Sequence, residues 1–120
     1  ALNGSGQILL LRHVFHPAAP WGLPGGWLNR RETPAAGALR ELYEETGLTA
    51  RLGPVVHVDG ETKPDHIGIA YLGYINQPTI MKLSPEIIEA AWFDRTQLPT
   101  SLYPFVQQAI QAALQVNDIS

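Results

Sequence analysis

Gly25 to Leu48 reads GGWLNRRETPAAGALRELYEETGL. Thr33-Pro34 is a helix start, with Thr as N-cap and Pro at the first helical position. The helix is predicted to run to about Thr46 and to stop at Gly47, a residue suited to a C-terminal cap. Ala35, Ala38, Leu39 and Leu42 form one apolar stripe along it. Glu41, Glu44 and Glu45 stand three and four residues apart and share a neighbouring face. Like charges at that spacing cost roughly 0.2–0.5 kcal/mol per pair on an exposed helix. A face of this kind makes physical sense where a cation sits on it. Gly37 inside the helix costs about 1 kcal/mol relative to Ala, which close packing would explain.

Upstream, Trp21-Gly22-Leu23-Pro24-Gly25-Gly26 precludes regular structure and lets the backbone approach a neighbour closely. Trp27-Leu28 is read as a brief strand. Before it, His16 to Pro20 is a loop, and Gln7 to Val14 is a short apolar run predicting a buried strand. Downstream, Leu48 to Val58 contains a strand, strongest at Val55 to Val58, and Asp59 to Asp65 is a polar turn. His66 to Ile75 predicts a central strand, and Ala90 to Asp94 a further one. Phe105, Val106, Ala109, Ile110, Ala113 and Leu114 keep a helical period, so Tyr103 to Val116 is an amphipathic closing helix. Strand, helix, strands and helix in that order indicate a mixed sheet with a helix on each face.

A chain of 120 residues with 45% apolar content suits one packed domain, taken as residues 1–120. Eight Lys and Arg against eleven Asp and Glu leave a formal charge of −3 and no basic run, which argues against duplex nucleic acid as partner. The absence of Cys excludes disulfides and thiolate chemistry. No apolar run reaches membrane-spanning length and no signal peptide is visible, so no membrane partner is expected and the expected compartment is the cytoplasm. The chain opens on Ala with a strand close behind, which leaves room for residues ahead of Ala1.

Gly26, five residues, Glu32, seven residues, Arg40-Glu41-Leu42, one residue, Glu44-Glu45, one residue, Gly47-Leu48: this spacing resembles the Nudix box with every fixed position filled. Leu23-Pro24-Gly25-Gly26 is similar to the lead-in of that family. The resemblance implies an α/β/α sandwich with a mixed central sheet. It also implies metal-dependent hydrolysis of a diphosphate linkage in a nucleoside diphosphate joined to another group. Such a substrate is an anion that resists attack by water. Hard cations with oxygen ligands neutralise it and activate the water.

Carried over by position, the resemblance makes Glu44 and Glu45 the principal ligands of Mg²⁺ or Mn²⁺, and the Gly25 carbonyl a backbone ligand. Glu41 becomes a third ligand or the group that orients or deprotonates water. Arg40 holds the glutamates, and Glu32 stands behind the metal or meets it through water. Glu86, in the Ser84 to Phe93 segment, is a candidate general base or further ligand, and Glu89 a second choice. Asp94 and the acidic residues of 59–65 follow. Arg12, His16 and Trp21 are candidates for contact with phosphate or base, with Glu32 and Glu89 also assigned to the substrate side. Trp92 and Phe93 read as core. Taken alone, a Glu-rich helix face is ordinary solvated surface; Arg40, Gly26, Glu32 and Gly47 in register displace that reading. His13, His16, His57 and His66 form no compact ligand motif, which argues against zinc.

Pro64 lies sixteen residues beyond Leu48, a position that accompanies ADP-ribose hydrolysis in some relatives. ADP-ribose, a nucleotide sugar or a nucleoside triphosphate is therefore the expected small-molecule partner. Many relatives are homodimers, which leaves a dimer open. An isopentenyl-diphosphate isomerase shares the fold but needs a Cys. The alternative to the enzyme is a non-catalytic Nudix-like nucleotide-binding module or sensor.

Overall fold

Leu9, Leu10 and Leu11 are fully buried although they are consecutive, so both faces of their strand are covered. The computed structural model describes residues 1–14, 21–60, 66–77 and 80–119. Its elements are β1 (Leu2–Asn3), β2 (Ile8–His13), α1 (Pro34–Thr46), β3 (Arg51–Gly60), β4 (Ile67–Ile75), β5 (Ile87–Phe93) and α2 (Pro104–Ile119). The strands form one sheet in the order β3-β4-β1-β2-β5. β1 pairs parallel with β4, and the other neighbours are antiparallel.

Alternation along β2 divides the core. Ile8 and Leu10 pack with Leu72 and with Val106 and Ile110 of α2. Leu9 and Leu11 pack with Leu42 of α1, Leu48, Ile75 and Ile87. The result is the expected α/β/α sandwich with a mixed sheet. Among the described residues no helix is long and apolar enough to cross a membrane.

Helix α1 begins and ends as its sequence dictates. The Thr33 hydroxyl accepts a hydrogen bond from Ala36 N at 3.2 Å, and Gly47 adopts a left-handed φ of 76°. Two carbonyls of the last turn, Glu45 O and Thr46 O, accept from Ser84 N and Lys82 N. The chain leading to Glu86 is thereby tied to the end of α1.

Three expectations change. Trp27-Leu28 is not a strand; both residues are exposed, and it is Gly22 that bridges to Leu11. Strand β3 continues through Asp59 and Gly60, expected in the polar turn, and two register shifts around Pro54 absorb a residue that cannot donate on this edge strand. Strand β5 starts three residues early, at Ile87, whose side chain is in the core. His16, Pro64 and the acidic residues of 61–65 lie outside the described residues.

Candidate active site

Arg40 is the hub. Its Nε and Nη2 donate to the two carboxylate oxygens of Glu32 at 2.7 and 2.9 Å. Its Nη1 donates to Glu41 Oε1 at 2.6 Å and to Glu44 Oε2 at 3.0 Å, and Nη2 also reaches the Trp27 carbonyl at 2.9 Å. These contacts use all five donors of a guanidinium, in the fork geometry that a Lys cannot reproduce. The same bonds hold the Glu32 carboxyl below its usual range, chiefly through Arg40 and then through Asn29 N–H. Glu32, assigned in sequence to the metal surroundings and the substrate side, is thus committed to fixing Arg40.

Glu41 and Glu44 are joined through one nitrogen. The carboxylate of Glu41 lies against the bare Cα of Gly26, where a methyl group would come within 2.6 Å of Oε2. Leu28 packs on Gly37 in the same way, which accounts for a glycine inside α1: it seats the preceding loop on the helix. Glu44 points outward, with 56% of its side chain exposed.

Glu45 is different. It is 4% exposed, and its oxygens are taken by Gly25 N at 2.9 Å and His13 Nε2 at 2.9 Å. A buried carboxylate needs such partners. The hydrogen bond to Glu45 raises the His13 pKa above the usual imidazole value; burial opposes this, and the charges of Glu45, Glu86 and Glu41 add to it. Those charges place Glu86 in the electrostatic neighbourhood of the cluster. Its backbone carbonyl accepts from Val14 N at 2.8 Å, beyond the end of β2.

His13 is the residue that sequence reasoning missed. It was weighed as a zinc ligand by spacing to other histidines, whereas its partner is a glutamate on another element. Arg12 and Glu89, paired at 3.1 Å, face the α2 side of the sheet by the alternation of β2 and β5. Trp21 packs edge-on against Phe93 at 5.0 Å on that side, with the Arg12 guanidinium 5.8 Å from its ring. The structure therefore does not bring Arg12, Trp21 and Glu89 to the glutamates. Trp92 and Phe93 pack in the two core layers, one on each side. Asp94 lies near Gln7, away from the cluster.

Four carboxylates (Glu32, Glu41, Glu44, Glu45) face one guanidinium and one imidazole. That hard-oxygen donor set, with negative charge in excess, fits a divalent cation of the Mg²⁺ type. It is not a finished cage: among the described residues no three His, Asp or Glu side chains converge as a ligand group. Arg40 and His13 supply the cationic partners of these carboxylates.

A mixed sheet between two helices, with a glycine loop seated on a glutamate-rich helix, defines a class of α/β domain built around an anionic helix face. The comparisons identify the family. A match to the NUDIX domain runs over residues 1–113, and the chain belongs to the Nudix hydrolase family. It is 32% identical over 103 residues to a putative 8-oxo-dGTP diphosphatase of Bacillus subtilis, covering 86% of this chain and 68% of that protein. It is 40% identical over 55 residues to an RNA pyrophosphohydrolase of Roseobacter denitrificans, covering 46% and 34%. The matched chain thus spans about two thirds of the first relative and about one third of the second. The structure of a MutT protein from Methanosarcina mazei Go1 superposes with a TM-score of 0.75 at 27% identity, covering 97% of this chain and 88% of that one.

Proposed function

We propose that residues 1–120 act as a single Nudix domain that hydrolyses a diphosphate linkage in a nucleoside diphosphate-type substrate. ADP-ribose, a nucleotide sugar and a nucleoside triphosphate are the candidates. The observation that carries this reading is the Arg40 hub, which holds Glu41 and Glu44 together beside the Gly25-Gly26 loop. Glu44, Glu45, Glu41 and the Gly25 carbonyl would hold Mg²⁺ or Mn²⁺. When bound, the cation neutralises phosphate oxygens and lowers the pKa of water.

The chain's own groups do the rest. Water attacks one phosphorus, the bridging P–O bond breaks, and the bridging oxygen leaves with the other phosphate. The proton lost by water passes to a carboxylate, Glu41 or Glu86. Arg40 keeps Glu41 and Glu44 from drifting as charge develops on the phosphate.

One observation favours a second reading, a nucleotide-binding module without turnover: Glu41, Glu44 and Glu45 are already partnered by Arg40 and His13. A hydrolysis panel separates the two. ADP-ribose, NADH, nucleoside triphosphates, nucleotide sugars and dinucleoside polyphosphates are incubated with the protein, with Mg²⁺ or with EDTA. Turnover of at least one compound with Mg²⁺ alone supports the enzyme. Tight nucleotide binding with no metal-dependent product supports the module.

A further inference from the structure

The Trp27 indole belongs to neither core layer and makes no contact with the glutamates, and the residue is 73% exposed. The ring is not exposed singly: Leu28, Ile67 and Ile69, also exposed, line the same cleft, and a contiguous apolar patch of this kind marks an interaction site. The footing of Trp27 is firm. The Trp27 carbonyl is held by Arg40 at 2.9 Å, and the next residue, Leu28, is packed on Gly37 of α1. The indole meets the His66 ring at 4.6 Å and 84°, an edge-to-face arrangement. In such a pair at least one indole face stays clear of the imidazole.

That ring stands on a cleft of about 430 Å³ between α1 and the β3–β4 pair. The cleft begins at Gly25, Gly26 and Glu41 and continues over Leu39, Ile69 and Tyr71. Its size falls within the usual range for small-ligand sites, and its largely apolar wall, with the Glu41 carboxylate at the loop end, suits a ligand with a flat apolar end whose anionic end would meet the divalent cation proposed at the glutamates. Ile67 and Ile69, 72% and 40% exposed, extend the apolar surface beside it.

We propose that Trp27, backed by His66, is the stacking platform for the nucleobase of the substrate, so that this site selects nucleotides over base-free phosphates. This rests on the hydrolase reading for its substrate but not for its test. Base–aromatic stacking is sequence-tolerant because every base has a π-face, so the platform confers preference for a base without choosing which one.

The test is a binding titration of the whole chain with AMP and with ribose 5-phosphate, followed by tryptophan fluorescence and by calorimetry. AMP is expected to quench the wild-type emission, and Trp27→Phe to remove that quench while keeping most of the affinity. Trp27→Ala is expected to weaken AMP binding about tenfold or more, with ribose 5-phosphate binding moving less than twofold. In turnover, Trp27→Ala is expected to raise KM more than it lowers kcat. AMP binding unchanged in Trp27→Ala, or equal loss for AMP and ribose 5-phosphate, overturns the platform. So does a switch from dimer to monomer on sedimentation, which would make the exposed ring a contact between two copies. If AMP quenches Trp27 but no substrate is hydrolysed, the platform stands and the hydrolase reading falls. If substrates are hydrolysed and Trp27→Ala is silent, the reverse holds.

Discussion

Helices α1 and α2 cover opposite faces of one sheet, and they are built to different ends. α2 buries Val106, Ala109 and Ile110 and turns Gln107, Gln108 and Gln111 outward. Its free face is polar and carries a single carboxylate, Asp118 near the C-terminal end, which is paired with Arg95 at 2.9 Å, and that suffices for a helix that only packs. α1 buries Leu42 and then gathers Glu41, Glu44 and Glu45 beside it, against the mutual repulsion of like charges. The offsetting interactions come from Arg40, Gly25 N–H and His13. Packing alone explains α2. It leaves the charged face of α1 without a reason, and that residue of unexplained cost is what points to function.

The contrast breaks most directly at Glu44. In Glu44→Gln the helix is expected to keep its fold, judged by circular dichroism, while kcat/KM falls at least about 100-fold. Gln108→Glu on α2 adds a carboxylate to the other helix and is expected to change turnover less than twofold in the same assay. Gly26→Ala comes next. Its methyl group displaces the Glu41 carboxylate, so a loss of roughly 10–100-fold in turnover is expected with little change in melting temperature.

A cut on the α2 side should give the opposite signature. Ile110, 4% exposed, is expected to cost about 2–5 kcal/mol when replaced by Ala, read from denaturant midpoints, with kcat nearly preserved at low temperature. A large kcat loss there would blur the division between the helices.

The smallest effect concerns pH. The folded His13 pKa lies above its unfolded value because of Glu45. Protonated His13 therefore stabilises the metal-free fold fully below about pH 6.5, the unfolded value, and that contribution is lost as pH rises through the folded pKa. The difference in stability between wild type and His13→Gln is expected to be about 1 kcal/mol or less at pH 5.5, after solvent screening, and smaller at pH 8.5. A difference that grows with pH would contradict the pairing.

What could be read before the structure follows from range. Thr33, Pro34 and Gly47 act within one turn of their own helix, so α1 was legible to the residue. Apolar runs marked β2 and β4 as buried strands, and a helical period marked α2. The edge strand β3 was ended too soon because Asp59-Gly60 opens a polar run, whereas both residues pair with β4. The two-residue β1 is too short for any periodicity. At the site, the box spacing marked the acidic face and Arg40, since both lie on one helix. It was silent on His13, whose partner Glu45 is 32 positions away and reached only through the packing of α1 on the sheet. Trp27 was misread as strand because aromatic and aliphatic neighbours favour one locally, whereas Leu28 is claimed by Gly37.

The central claim is that the charged face of α1 accepts a divalent cation. Mn²⁺ binding followed by electron paramagnetic resonance measures this without relying on turnover. Wild-type protein is predicted to take up Mn²⁺, to release it to excess Mg²⁺, and to lose at least about tenfold in affinity in Glu44→Gln but not in Gln108→Glu. Equal Mn²⁺ binding by wild type and Glu44→Gln would contradict it.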